Sequence, residues 1–203
     1  MILLLIILKL VLSVLTGYLL GSIPIASLVS RRRHIDIFAT GSGLAGAANV
    51  FRNVGHPQGL FVFGGDIFKG LSAMMIAYQL GIEGTWLLLP AMATLMGHWK
   101  SMFTGFRGGD GLSTLLGITV AIIPVFGLIA LTIGATVALI ARQTGHHASL
   151  WGGSVAYGWL LVLGLTATTE NASSLLGVVV LALSVLAHGV VGHYRNHHSV
   201  TAP

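Results

Sequence analysis

The stretch DGLSTLLGITVAIIPVFGLIALTIGATVALIAR, residues 110–142, decides the fold. It is apolar almost throughout and about 33 residues long. A helix that crosses the roughly 30 Å hydrocarbon core of a bilayer needs about 20 residues. The stretch is therefore too long for one ordinary crossing and too short for two full ones. Pro124 lies near its middle, where a tight reversal or a broken helix belongs, because proline offers no amide hydrogen to the preceding turn. One crossing or two determines the side on which everything downstream lies.

Working outward, residues 2–29, 58–81, 85–103, 150–165 and 175–191 are further apolar runs of spanning character. The chain is 55% hydrophobic and only 7% charged, with a mean hydropathy of +0.91. A soluble domain carries about a quarter charged residues, so lipid must be the solvent for the excess apolar surface. There is no cysteine, which excludes disulfides and thiolate metal sites. Residues 2–8 look like the core of a signal peptide, but the apolar run continues past Lys9 to Val29 without a cleavage site. It reads as a retained first span, kinked where Gly21, Ser22, Ile23 and Pro24 fall and stopped by Arg31, Arg32 and Arg33. Lys9 snorkels to the outer surface.

The positive-inside rule arbitrates the central stretch. If 110–142 is a hairpin, the chain crosses seven times, two of the crossings short, with the N-terminus outside and the C-terminus cytoplasmic. Arg31, Arg32, Arg33, Arg52, Lys100, Arg107, Arg142 and Arg195 then all face the cytoplasm, while the outer loops hold Glu83 and Glu170. A single crossing would put Arg142 and Arg195 on opposite sides. The expectation is an all-α, single polytopic transmembrane domain over residues 1–203. Its net charge of +5 answers to topology and anionic headgroups, not to nucleic acid.

Chemistry concentrates in two cytoplasmic glycine loops. Gly41, Gly43 and Gly46 let the backbone of the 41–52 segment aim amide groups at one point, an anion-binding nest. Ser42 and Asn49 add hydrogen-bonding side chains, and Arg52 adds a bidentate charge suited to phosphate. Flexible turns with glycines for close helix packing explain this segment equally well. The second loop, Arg107, Gly108, Gly109, Asp110 and Gly111, opens the short fourth span at a helix N-terminus. Neither loop is a P-loop. Asp66 and Lys69 share a helix face and are expected to form a structural ion pair inside the bundle. His146 and His147 are adjacent, and His193, His197 and His198 crowd the tail. That is poor geometry for metal ligation, so no metal site is expected. His98 reads as a hydrogen-bonded packing residue.

These residues together resemble the PlsY-type acyl-phosphate:glycerol-3-phosphate acyltransferases of bacteria, over nearly the whole chain. GSIP at 21–24, the 41–52 segment, Asp66 through Gly70 as DxxKG, Gly97 with His98, residues 108–111 and Ser149 with Leu150 resemble that family's ordered motifs. His193 and Asn196 fit its C-terminal HxxN. The resemblance implies transfer of an acyl group from acyl-phosphate to glycerol-3-phosphate, releasing phosphate and lysophosphatidic acid for phospholipid synthesis. It implies no cofactor and no protein nucleophile, the substrate's own phosphate helping to remove the proton. It carries catalytic roles to Ser42, Arg52, His193 and Asn196. It carries substrate binding to Gly41, Gly43, Gly46, Asn49, Arg107, Gly108, Gly109, Gly111 and Ser149. The implied location is the bacterial cytoplasmic (inner) membrane.

This chain departs from the family pattern where His197 and His198 replace the charged residues after the HxxN, where Leu44 stands for the family's asparagine, where Ala48 stands for its threonine, and where Asp110 stands for its lysine. Each unit charge at about 4 Å is worth roughly 4 kcal/mol at an effective dielectric of 20, so the last exchange weighs on phosphate binding. Two readings stay open. One is a working acyltransferase. The other is a non-catalytic relative that serves as a structural or lipid-holding subunit among other membrane proteins. A transporter is disfavoured, because no inverted repeat is visible.

Overall fold

The computed structural model describes the backbone of residues 1–144, 148–166 and 172–200, and the side chains of these except at 142–144 and 193–200. Among the described residues all regular structure is helical: α1 (Ile2–Gly21), α2 (Ile25–Arg31), α3 (Ala47–Asn53), α4 (His56–Gln79), α5 (Leu88–Trp99), α6 (Leu112–Ile122), α7 (Pro124–Thr144), α8 (Ala148–Thr166) and α9 (Ala172–Val200). Short 3-10 turns fill parts of the connections. Among the described residues five segments are long and apolar enough to cross a membrane: Ile2–Arg31, His56–Gln79, Pro124–Ala141, Ala148–Thr166 and Ala172–Gly192. The expected break at GSIP is present, since α1 ends at Gly21 and α2 begins after Pro24.

Glycines decide which helices pair. A side chain on Gly21 would collide with the Thr94 carbonyl of α5, and one on Gly97 with the Tyr18 carbonyl of α1. Across the α4–α6 contact the same holds for Gly70 against Thr114 and for Gly117 against Ile67. Gly134 and Gly152 bring α7 onto α8. Close backbone approach of this kind is how helices associate where lipid removes the hydrophobic drive between them. The main core lies among α4, α5, α6, α8 and α9, around Met74, Leu95, Ile118, Leu160 and Val178. Leu3, Phe61, Phe68, Val125, Val162 and Val180 point outward and exposed, an apolar exterior that lipid covers.

The 110–142 stretch is two helices, and the break falls at the proline. Ile123 has φ −134° and ψ 73°, and Pro124 starts α7. A Cβ built on Gly127 would lie 2.8 Å from the Cα of Val120. Residues seven apart in a straight helix are about 10.5 Å apart, so the chain turns back here. The halves are unequal, which corrects the expectation of two short crossings within this hairpin. α7 is full length because Pro124 opens it, and it runs on to Thr144. Only α6, with 11 residues, is short. The second short helix is α5, where the expected 85–103 span is reduced to 12 α-helical residues behind a 3-10 turn.

The shortness of α6 has a geometric cause. Gly70 packs at Thr114 and the Tyr78 hydroxyl donates to the Ala121 carbonyl at 3.5 Å, so α4 and α6 run in parallel. The start of α6 is therefore level with about Asp66, ten residues into α4. At a rise of 1.5 Å per residue that is roughly 15 Å below the His56 end. The loop before α6 dips into the bundle.

Candidate active site

Irregular backbone at such depth survives only where its polar groups find partners inside the protein. The 107–112 segment does. The Gly108 carbonyl accepts from the Ala45 amide at 3.0 Å, and the Gly109 amide donates to the His98 carbonyl at 3.2 Å. The Asp110 carbonyl accepts from the Trp99 indole at 2.8 Å. The Arg107 carbonyl accepts from the Thr104 hydroxyl. Only glycine fits at 109, because a Cβ there would lie 2.5 Å from both the Ala45 carbonyl and His98 Nε2. The two glycine loops are thus stitched directly to each other.

Beneath them lies a buried polar network. Asp66 and Lys69 form the expected ion pair, at 2.8 Å, with both side chains about 4% exposed or less. Lys69 Nζ also donates to the Ile23 carbonyl at 3.3 Å and lies 2.7 Å from His98 Nδ1, which Thr114 Oγ1 approaches at 3.2 Å. With Lys69 donating to Nδ1, the imidazole hydrogen belongs on Nε2, beside Gly109. His98 is a packing residue with hydrogen bonds, and it also ties the ion pair to the second loop. Among the described residues no three of His, Cys, Asp or Glu gather as metal ligands would.

In the first loop Gly41 and Gly43 take the left-handed conformation, φ +59° and +67°, and place half-buried Ser42 between them. Asn49 is a brace. Its side-chain amide donates to the carbonyls of Ile37, Thr40 and Leu44, and its oxygen accepts from Asn53 at 2.7 Å. Both amide hydrogens are engaged, so Asn49 shapes the loop and does not reach outward. Arg107 is exposed and stacks on the Phe38 ring at 4.5 Å. Gly192 on α9 packs against Leu44, so His193 and Asn196 follow directly from a point on the first loop. Their side chains lie outside the described residues, as do Arg142, His146, His147, Glu170 and Arg195.

The loops open on a groove of about 660 Å³ between α3, α4, α6, α7 and α8. Arg52, His56, Asp110, Ser113 and Ser149 supply its polar part, and Leu60, Phe63, Leu116, Leu131, Leu139 and Ala156 its apolar walls. Arg52 is exposed at the mouth, and Ser149 of α8 lines the same groove. The groove brings together Arg52, Ser149 and the end of the second loop. Gly41, Ser42, Gly43 and Arg107 border it only through the loops they belong to. A second crevice, of about 10 Å³, lies on the other side of the second loop among Ser22, Asp66, Lys69, His98 and Gly109, with room for one water.

Two contributions escaped the sequence. Asp110 Oδ1 accepts the Leu112 amide at 3.1 Å, so the carboxylate satisfies the first backbone amide of α6 from the position before its Gly111 N-cap. An aspartate two residues before a helical apolar run carries that signal. His188 of α9 stacks on Trp99 with ring centroids 4.6 Å apart. Its only mark in the sequence is a histidine inside the last apolar span.

Short helices around a recessed glycine loop pair, opening on an apolar groove, define a polytopic membrane protein with irregular backbone sunk among its helices. Residues 11–201 match the family model described as glycerol-3-phosphate acyltransferase, and the chain belongs to that family. It is 36% identical over 152 residues to glycerol-3-phosphate acyltransferase 1 of Deinococcus radiodurans, covering 75% of this chain and 76% of that one. It is 41% identical over 120 residues to the glycerol-3-phosphate acyltransferase of Geobacter sulfurreducens, covering 58% and 62%, so the match spans about three-fifths of that relative. Two crystal structures of PlsY, an integral membrane glycerol 3-phosphate acyltransferase, share the fold at 28% identity, covering 94% of this chain and 91% of theirs. The TM-score is 0.73 for the glycerol 3-phosphate form and 0.68 for the lysophosphatidic acid form.

Proposed function

We propose that this protein transfers an acyl group from acyl-phosphate to the sn-1 hydroxyl of glycerol-3-phosphate at the cytoplasmic face of a bacterial inner membrane. The observation that carries the reading is the junction of the two glycine loops with the 660 Å³ groove. The apolar walls suit an acyl chain, while Arg52 at the mouth suits phosphate through its paired donors. Holding donor and acceptor together there turns a bimolecular reaction into an effectively unimolecular one. The acceptor oxygen forms a bond to the acyl carbon, the bond from that carbon to the phosphate oxygen breaks, and phosphate leaves with the electron pair and takes up the hydroxyl proton. The family resemblance assigns further phosphate contacts to Ser42, Ser149, His193 and Asn196.

Seven crossings support this placement, with α5 and α6 as the short ones, the N-terminus outside and the C-terminus cytoplasmic. Every Lys and Arg except Lys9 of α1 and Lys69 of α4 then falls on the side of the glycine loops. The test is lysophosphatidic acid formation by purified protein supplied with palmitoyl-phosphate and glycerol-3-phosphate. Turnover in the wild type that falls at least about 100-fold in Arg52→Ala supports the reading. No product with any acyl-phosphate, or full activity in Arg52→Ala, contradicts it.

A further inference from the structure

The apolar groove ends where two contacts close it from below. α6 and α8 run inward from the mouth and α7 runs back toward it, so Leu116, Leu131 and Tyr157 are the deepest lining residues on these helices. One turn below Leu116, the Thr119 hydroxyl donates to the Leu115 carbonyl at 2.8 Å. Its hydrogen is thereby engaged, so the Tyr157 hydroxyl, 3.0 Å away, donates to Thr119 Oγ1 and ties α8 to α6 across the bottom. One turn below Leu131, a Cβ on Gly127 would meet the Val120 backbone, so α7 lies directly on α6 there. The next inward position on the same face of α8, Leu160, is fully buried in the core.

Above this closure the walls are small, with Ala135 and Ala138 on α7 and Gly153 and Ala156 on α8. A chain descending along α8 passes these and meets a tethered ring. Tyrosine suits such a place, because its polar tip is satisfied by the neighbouring helix while its apolar ring is left to the groove. From Ser149 to Tyr157 is eight residues of α8, a depth of about 12 Å.

We propose that Tyr157, held by Thr119, is the floor of the acyl site and sets the longest acyl chain that the protein accepts, an inference that rests on the function proposed above. With the phosphate of the acyl-phosphate at Arg52, the chain runs down between α7 and α8 and its terminal methyl meets the ring. A shorter chain leaves apolar wall uncovered, and a longer one has to fold back within the groove. Both lower the fit, so one length is preferred.

The test reads kcat/KM for acyl-phosphates of graded chain length, with glycerol-3-phosphate as acceptor. In the wild type it is expected to rise with length and then fall by about 10-fold or more once the chain outgrows the floor. Tyr157→Leu removes the ring and keeps apolar volume, so it is expected to move that fall to longer chains, raising kcat/KM for the shortest excluded chain about 10-fold. Leu131→Ala, at a half-buried residue of the facing helix, is expected to move it the same way and carries the test where Tyr157→Leu does not fold. A tyrosine that only braces α8 would change the rate for every chain alike. A wild-type profile without an upper limit, or variant profiles parallel to the wild type's, overturns the floor. A folded wild type that turns over no acyl-phosphate overturns the acyl-transfer reading, and the floor is then read from binding, as the rise in melting temperature that each chain length gives. A rise that does not depend on length, or no rise, overturns the floor as well.

Discussion

Removing Lys69 alone is expected to unfold this protein more readily than removing Lys69 and Asp66 together. The Asp66 carboxylate is 2% exposed as a residue, and its partner at 2.8 Å is 4% exposed. Lys69→Met leaves a buried carboxylate without its cation, and breaking such a pair from one side costs about 3–5 kcal/mol. It also strips the ammonium from His98 Nδ1 and the Ile23 carbonyl. At about 2–4 °C per kcal/mol for a chain of this size, the melting temperature should drop by roughly 6–20 °C. Asp66→Leu with Lys69→Met replaces the pair with apolar volume, which is close to neutral in buried sites. The residual cost is His98 Nδ1, left with Thr114 Oγ1 at 3.2 Å. The double variant should therefore recover most of the loss, with a coupling of at least about 2 kcal/mol in the cycle. Thermal unfolding of the four proteins in detergent, followed by tryptophan fluorescence, reads this directly. A Lys69→Met protein within about 1 kcal/mol of the wild type, or a double variant as weak as the sum of the singles, would refute the reasoning.

Gly109→Ala forces a methyl to 2.5 Å from the Ala45 carbonyl and His98 Nε2, and backbone cannot retreat as a flexible side chain can. It should part the two loops and remove acyl transfer while the bundle stays folded by circular dichroism. Ala135→Phe places a ring in the apolar groove and should shift the preferred acyl-phosphate to shorter chains, measured as kcat/KM across chain lengths. Single cysteines near Arg142 and at the C-terminus should react only with reagents that reach the cytoplasm, and those near Glu83 or Glu170 from outside. Outside labelling near Arg142 would contradict the seven-crossing arrangement.

Much of the fold was legible because its signals are local. The proline at 124 marked the reversal, GSIP marked the break between α1 and α2, and the three-residue spacing of Asp66 and Lys69 gave their pairing. What the sequence hid is depth. Hydropathy cannot distinguish a helix that begins at the membrane surface from one that begins 15 Å inside it. The unequal hairpin and the short α5 were therefore missed, and both follow from how far the loop sinks against α4. Site residues were legible as types and less so as roles. Asn49 reads as a phosphate ligand from its neighbours, yet its amide clasps three carbonyls twelve, nine and five residues away in the chain. Asp110 reads as an intruding charge, and only the structure shows that one oxygen holds the first amide of α6. His188 acts through a stack on Trp99, a contact between α9 and α5 that no local pattern encodes.

The central claim is that the recessed loops and the apolar groove form one site, with the acyl chain in the groove and its phosphate at Arg52. An acyl-phosphate with a photoreactive group near its chain end tests this most directly, irradiated on the purified protein and mapped by peptide mass spectrometry. The account predicts labelling on the groove walls, at Leu131, Ala135, Leu139 or Ala156, that non-photoreactive palmitoyl-phosphate suppresses and Arg52→Ala reduces. Labelling confined to the outward faces of α1 and α9, insensitive to competitor and to Arg52→Ala, would contradict it.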